Sequence, residues 1–174
     1  MILDTARLLL FPALMAFAAA SDLFTMTISN RVSLALIAGF AALAVLGGMG
    51  LHDILMHIGA GAAVLVVAFG CFAMGWVGGG DAKVAASVAL WFGFDHLLDY
   101  LLFVSLLGGA LTVLLIQFRQ WPLPSLLARQ AWLERLHDKR SGIPYGIALA
   151  IGALMVYPET EWIKAIDLAH LAMR

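Results

Sequence analysis

Charge is what this sequence has least of. Only 12% of its 174 residues are Asp, Glu, Lys or Arg, while 63% are hydrophobic. A water-soluble domain could not hide that much apolar surface, so the chain reads as an integral membrane protein. Cysteine is almost missing as well. Cys71, inside an apolar run, is the single one, which excludes an intramolecular disulfide and a Cys-x-x-Cys zinc site. A formal net charge of −1 gives no reason to expect a nucleic-acid partner. The polar stretches are too short for a separate soluble domain, so residues 1–174 are read as one membrane domain.

What is present is a series of apolar runs. At roughly 20 apolar residues per span, the length allows about six helices with short loops. The runs are Leu8–Ala20, Val32–Leu46, Ile54–Trp76, a shorter one from Asp81 to about Phe94, Tyr100–Phe118, and about Ile143–Tyr157. The expected fold is all-α, a bundle of six transmembrane helices. Arg7, the apolar core and Ala18-Ala19-Ala20 imitate a secretory signal, but Asp4 offsets Arg7 and a polytopic chain follows, so the segment is read as a retained helix. Ser21 to Arg31 is a polar interruption. In residues 119–142, Leu123, Leu126, Leu127, Leu133 and Leu136 recur near helical spacing with Trp121 and Trp132. That pattern predicts an amphipathic helix lying on the membrane interface. Residues Pro158–Arg174 are read as a short tail resting on the surface.

If the loops alternate, Arg31, Lys83, Arg119, Arg129, Arg135, Lys139 and Arg140 share one side, and Arg7, Lys164 and Arg174 the other. Basic residues collect on the cytoplasmic side, so both termini are placed outside. Asp22 and Asp81 then both face the cytoplasm.

An intramembrane carboxylate is costly and is a functional hypothesis by default. Asp22 ends the first run, and Asp81 begins the fourth directly after Gly78-Gly79-Gly80. Two carboxylates at one membrane level, sharing a proton, can activate a water: the ionised one acts as base and the protonated one as acid. Consecutive glycines would let a peptide backbone approach and would permit conformations barred to other residues. The competing reading is that the glycines are a plain loop and Asp81 an ordinary helix cap.

Gly78-x-Gly80-Asp81-x-Lys83 resembles the Gly-x-Gly-Asp signature of intramembrane aspartyl proteases, and Asp22 with Ile28-x-Asn30 resembles the first aspartate motif of prepilin peptidases. The likeness is to the short form of that family, associated with Flp or tight-adherence type IV pili. Ile143-Pro144-Tyr145-Gly146 also resembles a family segment. The resemblance implies that Asp22 and Asp81 are the catalytic dyad that cuts the leader from a type IV prepilin at the cytoplasmic face of a bacterial inner membrane, with membrane lipid as the surroundings. Ser29 stands where many members have proline. The cysteine-rich zinc insert of longer, N-methylating members is absent, so neither methyl transfer nor a metal or other cofactor is expected. Relatives that cut signal peptides, and the presenilin class, carry Tyr-Asp and a later Pro-Ala-Leu. Here Asp99-Tyr100 has the reversed order, and Pro12-Ala13-Leu14 falls in the first run.

Lys83 could steer the scissile region or anchor the helix at the interface, and Asn30 could orient Asp22 or bind a substrate carbonyl. Gly78, Gly79, Gly80, Lys83 and Asn30 are therefore taken as support for the dyad. His52, Asp53 and His57 have spacing that a metal would accept, but an interfacial pair is the preferred reading. Gly59 to Ala63 and Gly108-Gly109 offer small-residue faces where an apolar substrate helix could dock. Two rivals remain from other classes: a small proton-coupled transporter using the aspartates as a relay, and a non-catalytic pilus or secretion assembly protein.

Overall fold

A computed structural model describes residues 2–124 and 129–172. The helices are α1 (Ile2–Thr25), α2 (Asn30–Leu46), α3 (Leu51–Ala73), α4 (Gly79–Phe92), α5 (Leu97–Phe118), α6 (Ala131–His137), α7 (Gly146–Val156) and α8 (Glu161–Ala172). A 3-10 turn, Tyr157–Glu159, joins the last two. Among the described residues there is no strand, so the chain is all-α.

Three helices, α1, α3 and α5, are long and apolar enough to cross a membrane, with 24, 23 and 22 residues. They leave large apolar side chains such as Phe17, Val66, Val67, Leu106 and Leu114 exposed on their outer faces. This is the inverse of a soluble bundle and suits lipid. The other apolar helices are shorter: α2 has 17 residues, α4 has 14 and α7 has 11. Helix length alone therefore supports three of the six expected spans.

Two of the short helices, α4 and α7, occupy the interior. α4 buries Ala82, Val84, Ala86, Ser87, Val88, Ala89, Trp91 and Phe92, and α7 buries most of its length. Small side chains make this possible. A Cβ added to Gly61 of α3 would lie 3.2 Å from Ala86 O and 3.1 Å from Leu90 Cβ, and one on Gly152 would lie 2.9 Å from Val104 Cγ2. α4 stops at Gly93, whose φ of +63° few side chains tolerate and whose Cα faces the His57 ring.

Four sequence expectations change. α1 continues through Ser21 and Asp22 to Thr25, because Thr25 Oγ1 bonds back to Ser21 O at 2.7 Å and lets the helix outlast its apolar run. α3 begins at Leu51 and ends at Ala73, so His57 lies inside it, where Nδ1 donates to Leu90 O on α4 at 2.8 Å. The tail holds a helix, α8, whose Trp162 is buried and donates to Trp91 O at 2.7 Å. Of the amphipathic stretch, Ala131–His137 is helical. Leu126 and Leu127 lie outside the described residues, as does Arg174.

Candidate active site

Asp22 sits in the last turn of α1, and its side chain is buried. After it the backbone turns sharply. Met26 takes φ +54°, a left-handed conformation unusual for a side chain of its size. Ser21 Oγ donates to Thr27 O at 2.9 Å, pinning the loop to the helix it has just left. Ser29, the residue standing at the common proline position, then caps α2 by accepting from Arg31 N–H. The short loop thus delivers Ile28 inward.

Ile28 is the spacer of the site. A Cβ on Gly80 would lie 3.4 Å from Ile28 Cβ, and one on Gly146 would lie 2.6 Å from Ile28 Cδ1. Gly146 must be small for the loop to fit against α7, while a side chain on Gly80 would only reach ordinary contact with Ile28. Gly146 has a second duty: its N–H donates to Asp22 Oδ2 at 2.7 Å. This is an unpaired donor from the first turn of α7, of the kind every helix N-terminus leaves over. It fixes one carboxylate oxygen.

Asp81 is the third residue of α4, one turn in from the N-cap Gly78. Its carboxylate folds back over that glycine, since a Cβ on Gly78 would stand 2.8 Å from Asp81 Oδ2. Gly79 is similarly closed off by Phe72, 3.2 Å away. None of Gly78, Gly79 and Gly80 has a positive φ. Space, rather than unusual backbone conformation, is what these glycines provide, which corrects half of the expectation for them. Asp22 and Asp81 lie within electrostatic reach of each other. Asp81 also sits in the first turn of α4, and Asp22 faces the first turn of α7, where unpaired N–H groups offset part of the cost of burying negative charge.

The flanking groups are placed as follows. Lys83 Nζ, two residues on from Asp81, donates to Asn30 Oδ1 at 2.9 Å, tying α4 to the start of α2. Asn30 therefore neither touches Asp22 nor caps its helix. Arg135 Nη1 donates to Phe24 O at 2.8 Å, and Trp132 packs edge-on to Phe24 at 5.6 Å, so α6 rests on the end of α1 next to Asp22. Arg119 holds that segment by bonds to Leu136 O and Gly142 O. Deeper in the bundle, Tyr100 is fully buried, and its hydroxyl has no hydrogen-bond partner among the described residues. Among those residues no three His, Cys, Asp or Glu side chains gather as metal ligands.

Gly146 is the contributor that sequence reasoning did not single out. It belongs to the segment Ile143-Pro144-Tyr145-Gly146, but nothing in that string shows that its N–H meets a carboxylate 124 residues earlier.

A family model described as the type IV leader peptidase family matches residues 9–113. The match takes in both aspartates and the glycine run and stops short of Gly146. No curated protein and no solved structure matches the chain.

Proposed function

Because the chain belongs to the type IV leader peptidase family, we propose that it is an aspartyl endopeptidase that removes the leader of a type IV prepilin, with Asp22 and Asp81 as the dyad. The observation that carries this reading is that the two carboxylates lie within electrostatic reach of each other at one end of the bundle, one of them buried and held by Gly146 N–H.

The chemistry follows from the placement. A water between the carboxylates gives a proton to the ionised member as its oxygen attacks the scissile carbonyl carbon. The protonated member polarises the carbonyl oxygen and supplies the proton that the departing amine needs. One water is consumed and one C–N bond breaks, leaving a new carboxyl and a new amine.

On this reading the chain is an inner-membrane protein in which α2, α4 and α7, though short, join α1, α3 and α5 as spans. The dyad faces the cytoplasm, where a basic leader would be retained by its own charge. The substrate is of the Flp type, and methylation of the product is not part of the activity. Lys83 and Asn30 support the site from its rim.

The test is co-expression with a Flp-type prepilin, comparing wild type with Asp22→Asn and Asp81→Asn. Loss of leader removal in each variant, at unchanged protein level, is the expected result. Cleavage that survives either change ends the aspartyl mechanism and returns the chain to a transporter or assembly role.

A further inference from the structure

Beside the dyad, a groove of roughly 590 Å³ runs between α2, α3 and α4. Its sides are apolar, with Leu34, Ile37 and Leu65 exposed toward the bilayer. Its floor is formed by Lys83, Ala86, Ser87 and Leu90 of α4. We propose that this groove seats the apolar helix of the prepilin and delivers the scissile bond to Asp22 and Asp81, an inference that rests on the peptidase reading above.

Four observations converge on that occupant. The groove is continuous with the site, because Lys83, at its polar end, is two residues beyond Asp81. The Lys83 ammonium bonds only the neutral Asn30 and has no carboxylate partner among the described residues. A cation there suits the free carbonyl oxygens of a chain leaving helical form to be cut. Ser33 lines the groove, is 6% exposed, and its hydroxyl has no hydrogen-bond partner among the described residues. In lipid such a hydroxyl calls for a polar atom, and a helix backbone lying close above it offers one. Gly61, Ala62, Ala86 and Ser87 keep the floor low, so a passing helix can come near.

Of the small-residue faces named from sequence, Gly109 is open, while three glycines are engaged within the bundle. Gly59 is met by Phe94, Gly61 packs on α4, and Gly108 is covered by Tyr145. Ala62, one residue on from Gly61, opens into the groove.

The test uses the full-length protein in membranes. A photo-crosslinking phenylalanine derivative is placed at Leu34 or Leu65 in the groove, and at Val67 or Leu106 outside it, in the Asp81→Asn background with prepilin co-expressed. Adducts with uncleaved prepilin at both groove positions and at neither outer position are expected. In the active enzyme, Ala62→Trp should raise KM for prepilin about tenfold or more with kcat little changed, while Ala63→Trp, on the far side of the same turn, should not. Adducts confined to lipid, to a second copy of this chain or to the outer positions, or an Ala62→Trp enzyme of normal KM, would overturn the groove. Wild-type protein that cuts no prepilin would instead remove the peptidase reading itself.

Discussion

At the end of the bundle away from the aspartates, neighbouring helices meet through rings and directed bonds. Phe11 stacks on Tyr157 at 4.4 Å and tilts against Trp91 at 5.0 Å, and Trp91 in turn meets Trp162 at 5.1 Å. Trp91 Nε1 donates to Leu36 O, Trp162 Nε1 to Trp91 O, and Tyr157 Oη to Arg7 O. At the aspartate end the neighbours are glycines, and the loop between them is held by hydroxyls and one left-handed methionine. One end is filled with interlocking aromatic rings, while at the other the closest neighbours of the two aspartates are glycines. Packing energy is concentrated where no chemistry is proposed, and it supports the burial of two carboxylates where there is little packing to offset that cost.

That contrast breaks most sharply at the dyad. Asp22→Asn or Asp81→Asn should each lower the rate of leader removal by about 10²–10⁴-fold, with the thermal transition in detergent preserved; a variant that unfolds instead would place these residues on the structural side of the comparison. Next is Gly146→Ala. Its Cβ would stand 2.8 Å from Asp22 Oδ2 and 2.6 Å from Ile28 Cδ1, so the loop must give way. Displacement of that order should cost about 10–10²-fold in rate. Gly109→Ala, with nothing within 4 Å, is the control and should leave rate and melting unchanged.

At the aromatic end the effect should change kind. Trp91→Phe removes the bond to Leu36 O and leaves a gap beside Phe11, for about 1–3 kcal/mol of stability by denaturant titration. The rate per folded molecule should hold. Smallest of all is Tyr100→Phe. The lost hydroxyl has no partner to miss it, so stability should stay level or rise by up to about 1 kcal/mol. A marked fall would reveal a bond that this contrast leaves out.

The membrane class and the aspartate motifs were legible because they are local: apolar runs for the one, residues within a few positions of each other for the other. What lay beyond the sequence was set by contacts between distant segments. The polar string from Ser21 reads as a break, yet helix continues to Thr25 because hydroxyls bond back to the preceding turn. The tail reads as peripheral, yet Trp162 finds a carbonyl on α4 and is drawn into the core. Gly59, Gly61 and Gly108 look open along their own helices, but Phe94, α4 and Tyr145 cover them. The role of Gly146 needs the meeting of α1 and α7, which no spacing encodes. What the glycine run gives way to, Asp81 and Phe72, appears only with the neighbours in place.

The shortness of the interior helices has a consequence for the bilayer itself. At about 1.5 Å per residue, the 14 residues of α4 cover about 21 Å, against a hydrocarbon layer of about 30 Å. If α4 begins at the dyad and ends at Gly93, the aspartates lie in a recess below the headgroups, and the surrounding leaflet must thin to meet them. Water then reaches the scissile bond from a dimple in the membrane, without crossing oil. Thickness becomes a control on turnover: short-chain lipids should favour cleavage, and long-chain lipids should slow it with no change in the protein.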